Sequence, residues 1–514
     1  MDIDKVNGLF YRARRDLYYP PITKVEISDI STSEIDFSAR TYKVLIGEEF
    51  IKKIDQGAML GIFHHELNHW AKHPYDAKTI LLEHHFLPDI EDKNIIRNLY
   101  DDVVVNLDLI VNKGLEDVAK VYRQLPAKSR ADRLFRAFYK AVTGIDFGRV
   151  EIDEELDKRL KMLFQIDFLD TSMIKIKKNI RRFCKIVQDL IDEEITLPFS
   201  IFGIGDLPPQ EIKKAIKEIA NEVGPQEYRE IAKEVFKEIN YKKLEEKKGV
   251  GIAPGDKSLA KELDRPDIGW YKARAQRYTI YINPFLKGDS LYPYEIKDFD
   301  LDDNIDTYAP IDSYGKCLPG LAKRYELKAF EGHEPVHFPD AVIMIDSSGS
   351  MRNPDKDISH AVIGAFAIAR NYFEHGSKVG VINFSNINIQ LEPTNERERV
   401  YETLKLYQCG GTTLHLKELK EYVDNIGEKK TDFILITDAG IDNVSEVLDY
   451  FSKLRYRLTI IWIKGDVKGY ESFKERYKLL KERLPLVSFF EVEDEEDIPY
   501  IAVGRGFYDV YGGN

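Results

Sequence analysis

A histidine-rich stretch, GIFHHELNHWAKH (61–73), holds the residues of this chain with the clearest potential for chemistry. Within it, His65, Glu66 and His69 have the spacing HExxH. Because residues four apart lie on one face of an α-helix, His65 and His69 can offer two imidazoles to one zinc ion. Glu66 projects beside them and is the candidate general base for a zinc-bound water. The spacing therefore predicts a zinc-dependent hydrolytic site.

The residues around this motif predict a helix that packs into a core. Asp55 precedes the segment and is expected to cap its N-terminus. The alternative is a structural or surface histidine pair, or a site that has lost its metal. His64 is expected to be a bystander. Six apolar residues lie around the motif, which favours a helix packed into a core over a loose histidine tract. They are Met59, Leu60, Ile62, Phe63, Leu67 and Trp70.

A catalytic zinc site needs a third protein ligand, and the helical segment NIIRNLYDDVVVNLDLIV (94–111) offers Asp101 or Asp102. Asp101 lies on a charged helical stripe, which predicts a solvent-facing surface. Asp102 lies on a stripe with two asparagines and no charge, so Asp102 is the predicted ligand. The charged stripe also contains Arg97 and Asp108, and the other contains Asn98 and Asn106. Alternatives for this ligand are His73, Glu83, His84 and His85.

A second HExxH match in this chain shows that the motif by itself does not predict a zinc-binding helix. It spans residues 333–337, HEPVH, with Pro335 in its middle and Pro339 shortly after it. Proline disfavours the helix that would align the two histidines. The expectation is a loop that leads into the first strand of a C-terminal domain.

From residue 340 the sequence alternates between short apolar runs and helical patterns, which predicts a parallel sheet with helices on both faces. The helical patterns lie at 360–376, 398–407 and 444–455. The apolar runs are AVIMID (341–346), KVGVINF (378–384), DFILITD (432–438) and RLTIIWI (457–463).

Small oxygen-bearing residues gather where these strands end. Asp346, Ser348 and Ser350 form a DxSxS pattern, Thr412 follows a pair of glycines, and Asp438 ends a later strand. Ligands at the carboxyl ends of strands in a doubly wound sheet meet at one edge, and ligands that are all oxygen suit Mg²⁺ or Mn²⁺. The alternative is an ordinary polar turn after a strand.

These three ordered motifs resemble the von Willebrand factor A (VWA) domain with its metal-ion-dependent adhesion site. The resemblance implies that Ser348, Ser350 and Thr412 hold the cation, with Thr413 as the alternative to Thr412. It implies that Asp346 and Asp438 act directly or through water. A partner's Asp or Glu carboxylate would fill the open position. One departure is TDAG (437–440) where many relatives read TDG.

An N-terminal HExxH domain followed by a VWA-like domain resembles the predicted metal-dependent peptidases with a VWA-like C-terminus. That family often carries N-x-x-x-D and a further Asn after HExxH, which Asn98, Asp102 and Asn106 match. The resemblance implies a zincin-like metallopeptidase acting on a peptide or protein, and a MoxR-type AAA+ ATPase as partner. The alternatives are a non-catalytic adaptor or scaffold that works with such an ATPase, and a factor for metal-cofactor maturation.

Length and pattern together predict an α/β multidomain protein, since 514 residues exceed what one core usually organises. Residues 1–150 are expected to form an α+β zincin-like domain, and residues 338–514 a VWA domain with a doubly wound, Rossmann-like parallel sheet. Residues 151–337 are expected to form a helical connector and linker region.

Composition indicates the compartment and excludes some partners. A formal net charge of −13, with no basic cluster interleaved with aromatics, argues against nucleic acid. The longest apolar runs are too short to span a membrane. The three cysteines are far apart, which argues against a disulfide framework and fits a cytoplasmic protein. Abundant Lys and Glu are typical of proteins from hot environments.

Overall fold

The chain forms two compact units, Met1–Trp270 and Tyr271–Asn514. Residues 151–270 therefore belong to the same unit as residues 1–150, whereas the sequence pattern placed boundaries after 150 and 337. The computed structural model describes residues 2–28, 30, 33–36, 43–90, 93–191, 203–246, 263, 265–280, 292–300, 303–318, 320–328, 338–427, 430–464 and 473–502.

The first unit is largely helical. A π-helical turn, Asp108–Asn112, continues directly from the fifth of its α-helices. Its short 3₁₀ turns are Gln188–Leu190 and Ile204–Asp206. The α-helices are α1 Ile3–Asp16, α2 Glu48–Lys53, α3 Gln56–Ala71, α4 Ala77–Phe86, α5 Lys93–Leu107, α6 Val118–Gln124, α7 Arg130–Thr143, α8 Glu154–Leu163, α9 Met173–Val187, α10 Pro209–Ile219, α11 Pro225–Glu246 and α12 Pro266–Gln276, within which the division between units falls.

A small sheet accompanies these helices. Its strands are β1 Lys24–Ser28, β2 Ser33–Asp36 and β3 Lys43–Gly47, in the order β1-β3-β2. β1 pairs with β3 in parallel, and β2 pairs with β3 antiparallel. β2 is therefore an edge strand of this sheet, and α3 packs against it.

The second unit alternates strands and helices. Its strands are β4 Tyr292–Asp298, β5 Lys323–Lys328, β6 Asp340–Asp346, β7 Val379–Phe384, β8 Asn388–Thr394, β9 Thr431–Thr437, β10 Arg457–Ile463 and β11 Ser488–Val492. Its helices are α13 His360–Glu374, α14 Arg397–Lys405, α15 Leu416–Ile426, α16 Val444–Phe451, α17 Lys474–Arg483 and α18 Ile498–Ile501, with 3₁₀ turns at Ile305–Thr307 and Glu495–Asp497.

The main sheet of this unit has the strand order β11-β10-β9-β6-β7-β8. Every neighbouring pair is parallel except β7 and β8, which are antiparallel. The predicted parallel sheet is thus confirmed, with two edge strands added, β11 in parallel and β8 antiparallel. β4 and β5 form a separate antiparallel pair.

Helices cover both faces of this sheet. Val342 and Met344 of β6 belong to one core cluster with residues of α15, α16 and α17. Side chains alternate between the faces of a strand, so the equally buried Ile343 and Ile345 point to the opposite face. α13 packs against β6, β7 and β9, and α14 against β7. Both faces are therefore shielded from water, as the uninterrupted apolar runs predicted.

None of the helices in the described part of the chain is long and apolar enough to cross a membrane.

Candidate functional site

The HExxH motif lies in the second half of α3, which begins as the sequence predicted. The Asp55 side chain caps the helix by accepting a hydrogen bond from the backbone N–H of Ala58 at 2.8 Å. Residues 58–68 are all buried, because α3 packs against α1, α5 and α6. The helix and its cap are confirmed, and the two histidines are held inside a packed core.

Gly61, one turn before His65, lets α3 approach another backbone segment closely. A β-carbon at this position would lie 2.5 Å from the carbonyl carbon of Asp117 and 2.8 Å from the nitrogen of Val118. Asp117 and Val118 form the start of α6. A glycine is required here because backbone atoms leave no room for a side chain.

Three side chains from α3 and α5 converge on one point. The Nε2 atoms of His65 and His69 lie 3.0 Å apart, and each is 3.3 Å from Oδ1 of Asp102. These three residues form a group that could hold a metal ion. His65 is fully buried, whereas the side chain of His69 is 17% exposed, so solvent reaches the group from one side.

Hydrogen bonds on the far side of each imidazole determine which nitrogen faces the group. Nδ1 of His69 lies 3.0 Å from the backbone carbonyl oxygen of His73, which can only accept. Nδ1 of His65 lies 2.8 Å from Oδ1 of Asn106. Both Nδ1 atoms therefore carry the ring hydrogen. In the neutral imidazoles, each Nε2 atom then carries a lone pair. Two lone pairs 3.0 Å apart repel each other unless a proton or a metal ion lies between them.

The amide of Asn106 has a fixed orientation. Its Nδ2 donates to the hydroxyls of Tyr122 and Tyr139, each at 3.1 Å. Since the amide nitrogen is directed at these two tyrosines, the oxygen must face His65. All of these side chains are buried. The chain thus supplies second-sphere hydrogen bonds of the kind that orient metal-binding histidines.

Asp102 and His69 shift each other's pKa. Burial raises the pKa of Asp102, but its interactions with the two imidazoles outweigh burial and lower it overall. Burial lowers the pKa of His69, but the Asp102 carboxylate outweighs burial and raises it overall. Asp102 is therefore held as an anion facing two nitrogen donors.

Glu66 lies beside the group in a separate contact. Its carboxylate accepts a hydrogen bond from the hydroxyl of Ser33 in β2 at 2.6 Å. Both residues are buried, and burial raises the pKa of Glu66. A carboxyl group with a raised pKa is suited to exchanging protons near neutral pH.

Asp101 lies in a different cluster from Asp102. Oδ1 of Asp101 is 3.3 Å from Nε2 of His73, and that nitrogen is 2.6 Å from Oε1 of Glu83. Arg97 lies 3.8 Å from the other oxygen of Asp101. The prediction that Asp101 faces solvent is wrong, as Arg97, Asp101 and Asp108 are at most 3% exposed. The charged stripe is buried because its charges pair with one another and with neighbouring polar groups.

The carboxylates change the proton affinities in this second cluster. Burial lowers the pKa of His73, but Glu83 and Asp101 outweigh burial and raise it to about 10. Burial together with the neighbouring Asp101 raises the pKa of Glu83 to about 7. His73, Glu83 and Asp101 also form a group that could hold a metal ion.

The remaining histidines of this region lie elsewhere. His84 and His85 face acidic residues of α11, with Nε2 of His84 3.9 Å from Glu238 and Nδ1 of His85 3.3 Å from Glu234. His64 faces Asp16 at 3.4 Å. Of the alternatives for the third ligand, His73 and Glu83 belong to the second cluster. Asp102 is the residue that the structure brings to His65 and His69.

In the second unit, Asp346 and Asp438 follow adjacent parallel strands and meet at the carboxyl edge of the sheet. The hydroxyl of Thr437 donates to Oδ2 of Asp346 at 2.7 Å, and the backbone N–H of Ser348 donates to Oδ1 at 2.9 Å. Asp438 accepts from the backbone N–H of Gly440 at 2.7 Å. Burial, followed by repulsion from Asp438, raises the pKa of Asp346 to about 7. Burial also raises the pKa of Asp438.

The hydroxyls of the DxSxS motif lie at the same edge. The Oγ atoms of Ser348 and Ser350 are 3.0 Å apart, and Ser350 also hydrogen-bonds Asp438. The glycine-pair loop reaches this edge, since Gly349 N–H donates to the Gly410 carbonyl at 2.8 Å. Thr412 is buried in that loop, and its carbonyl accepts from the N–H of Asp442 at 2.8 Å.

Two residues that contact the candidate sites, Ser33 and Thr437, could not be predicted from the sequence, or only weakly. Ser33 is far from HExxH along the chain, and only the packing of β2 on α3 brings it to Glu66. Thr437 precedes the predicted Asp438, but its bond to Asp346 depends on the register of two strands. Thr413, the alternative to Thr412, donates its backbone N–H to the backbone carbonyl of Ser385. The second HExxH match, 333–337, lies outside the described residues.

Comparison with known proteins gives no family for this chain. No family model matches it, and no curated protein matches it. The PilB minor pilin from Streptococcus sanguinis and a point mutant of it are each 15% identical, cover 36% of this chain and 64% of their own, and have a TM-score of 0.25. The Deinococcus radiodurans RO (RSR) protein is 10% identical over 87% of this chain and 90% of its own, with a TM-score of 0.21. The match thus spans less than two thirds of the pilin, and such low scores carry no argument about fold or function.

Proposed function

We propose that the first unit is a zinc-dependent peptidase with His65, His69 and Asp102 as metal ligands. The observation that carries the proposal is the triangle of donor atoms, whose edges are 3.0, 3.3 and 3.3 Å. Zinc–ligand bonds of about 2.0–2.1 Å in tetrahedral geometry give edges of roughly 3.3 Å. Two imidazoles and one carboxylate are also a donor set that zinc accepts in catalytic sites. The triangle therefore fits one zinc ion with a fourth position open.

Glu66 is proposed as the general base of this site. When bound, zinc lowers the pKa of a coordinated water to about 7. Glu66 lies one residue from His65 and keeps its orientation through the Ser33 hydroxyl. Its raised pKa allows it to take a proton from water and release it to a leaving amine. Asp102 remains anionic and binds without exchanging protons.

An extended peptide is the proposed substrate class, because an edge strand lies at the site. β2 is an edge strand of its sheet, and its Ser33 contacts Glu66. The outer edge of such a strand carries backbone N–H and C=O groups that an extended peptide can pair with. A peptide bound in this way would pass beside the general base.

Metal content is the direct test of this proposal. In protein purified without a His-tag, mass spectrometry is expected to find about one zinc ion per chain, lost in the His65→Ala, His69→Ala double variant. The control is His84→Ala, which removes another buried histidine of the same unit and should keep the metal. Wild-type protein without zinc would contradict the proposal and favour a non-catalytic adaptor.

We propose that the second unit binds a divalent cation, Mg²⁺ or Mn²⁺, at the Asp346–Asp438 edge and captures a partner's carboxylate through it. The proposal is supported by two buried carboxylates and by the two serine hydroxyls at the same edge. Burial raises the pKa of both carboxylates, and Asp438 raises that of Asp346 further. Oxygen donors of this kind suit hard cations. Ser348, Ser350 and Thr412 would supply hydroxyls. A MoxR-type AAA+ ATPase is the proposed partner, on the family resemblance alone.

The Asp438→Asn variant tests this cation site. Without a cation, the variant should melt at a higher temperature than wild type, because one of two repelling buried carboxylates becomes neutral. Mg²⁺ at about 100 times its Kd should raise the Tm of wild type by roughly 5–10 °C and that of the variant much less. The measurement is calorimetry of the chelator-treated protein with and without Mg²⁺.

Asp432→Asn is the matched control, because Asp432 is buried in β9, the strand that leads to Asp438, but accepts a hydrogen bond from the Tyr372 hydroxyl at 2.5 Å. This control should keep the full response to Mg²⁺. An equal response in the Asp438→Asn variant would show that Asp438 does not contribute to cation binding.

A further inference from the structure

A second polar cluster is adjacent to the proposed zinc site, because it includes His73, whose backbone contacts His69. It joins His73, just after α3, to Glu83 of α4 and Asp101 of α5, and all three side chains are at most 3% exposed. Within the described residues, both carboxylate oxygens of Glu83 and Oδ1 of Asp101 have no partner that meets strict hydrogen-bond geometry. A buried group of this composition either holds a second cation or forms an ion network.

The distances favour the ion network. Two atoms that share one metal ion at about 2.0–2.1 Å lie roughly 3.3 Å apart in tetrahedral geometry. Nε2 of His73 and Oε1 of Glu83 are only 2.6 Å apart, which is closer than two ligands of one zinc ion and within the range of a polar contact between an imidazole and a carboxylate. Arg97, at 3.8 Å from Asp101, already brings positive charge. The distances therefore fit a network of polar contacts between His73 and the two carboxylates better than a metal site.

The same residue, His73, is the link to the zinc site. Its backbone carbonyl accepts the hydrogen bond from Nδ1 of His69 at 3.0 Å. Its side chain is tied to α4 and α5 by Glu83 and Asp101. Fixing the imidazole of His73 thus restricts where its carbonyl can lie.

We propose that the cluster of His73, Glu83 and Asp101 is a positioning device for the ligand His69. By holding the His73 carbonyl as an acceptor, it keeps the hydrogen of His69 on Nδ1 and leaves Nε2 free to bind metal. Second-sphere partners of this kind change metal affinity by roughly 10- to 100-fold when removed. The inference rests on the proposed function in one respect: His69 is taken to be a zinc ligand.

Zinc affinity in variants of Glu83 tests the device. Glu83→Leu removes the acceptor of His73 and should weaken zinc binding roughly 10- to 100-fold in competition with a chromogenic chelator. Glu83→Gln keeps an acceptor oxygen and should restore most of the affinity. Asp108→Leu is the matched control, because Asp108 is a buried carboxylate that contacts α3 through Asn68 at 3.0 Å and not through either histidine. An equal loss in this control would overturn the proposal.

A measurement on metal-free wild-type protein keeps the test independent of folding defects. Nitrogen-15 NMR of labelled histidines, at a pH where His69 is neutral, should show its hydrogen on Nδ1, and a neutral ring with hydrogen on Nε2 would overturn the proposal. Two zinc ions per wild-type chain, with one lost in Glu83→Gln, would also overturn it, since the cluster would then be a metal site. Absence of zinc from wild type would refute the peptidase proposal but leave the tautomer result as evidence for the device.

Discussion

The Glu66→Gln variant is expected to lose peptide cleavage by roughly 100- to 10,000-fold while keeping its zinc. Glu66 does not belong to the triangle of metal donors, and glutamine has nearly the same shape, so the ligands should stay in place. Glutamine cannot accept the proton of a bound water. The measurement compares the cleavage of labelled, unfolded casein and of a mixed quenched-fluorescent peptide library with zinc content in the same preparations.

The Ser33→Ala variant tests the same site with a smaller expected loss of activity. It removes the hydrogen bond that orients Glu66 but leaves the carboxylate, so its loss of activity should be smaller than that of Glu66→Gln. Chelator-sensitive cleavage that persists at wild-type rate in Glu66→Gln would show that another group is the base. Zinc-loaded wild type without cleavage of either substrate would point to a metal-stabilised scaffold.

Gly61→Ala is expected to be the most destabilising single-methyl change in the first unit. The new methyl group would lie 2.5 Å from the carbonyl carbon of Asp117, which is a backbone atom and cannot rotate away. Alanine is the better helix former by about 1 kcal/mol, but the overlap outweighs this gain. We expect a net loss of roughly 2–4 kcal/mol in the free energy of unfolding, together with weaker zinc binding as α3 moves relative to α5.

Gly8→Ala is the matched control for this prediction. Gly8 is an exposed glycine inside α1, and a β-carbon there would meet nothing within 4 Å. This substitution should stabilise the protein by about 0.5–1 kcal/mol, so the two glycine-to-alanine changes have opposite signs. Urea unfolding of the metal-free proteins measures both. Stabilisation by Gly61→Ala would mean that α3 and α6 are farther apart than described.

Much of the second unit could be predicted because its elements are encoded locally. The runs at 341–346, 378–384, 432–438 and 457–463 match β6, β7, β9 and β10 to within a residue or two. Uninterrupted apolar runs arise when both faces of a strand are covered. β8 escaped prediction because it is an antiparallel edge strand with alternating exposure and a proline, Pro393, near its end.

The proposed metal ligands could be predicted only where helical spacing brings them together. His65 and His69 are one turn apart, so their convergence follows from the helix itself. Asp102 was chosen by the pattern of its stripe, and the structure brings this residue to the histidines. Ser33 could not be predicted, because the packing of a strand on a helix depends on contacts distant in sequence.

The prediction for Asp101 failed for a physical reason. Charged residues on a helix usually face water, and a stripe with Arg97 and Asp108 fits that rule. Burial of such a stripe requires partners, and these come from His73 and Glu83, which lie outside α5. Local spacing does not reveal partners contributed by other elements.

The adjacent positions of Asp101 and Asp102 limit how the centre could be grafted onto another scaffold. A transplanted HExxH helix would carry His65 and His69 but lack both the third donor and the acceptor network behind His69. A continuous segment that includes all of them in complete helices, from the start of α3 to the end of α5, runs over residues 56–107. A recipient must also reproduce the rotation of α5, since turning this helix by one residue, about 100°, would exchange the two aspartates. A transferable unit therefore comprises three helices with fixed relative rotations. The five residues of HExxH alone are not enough to transfer the site.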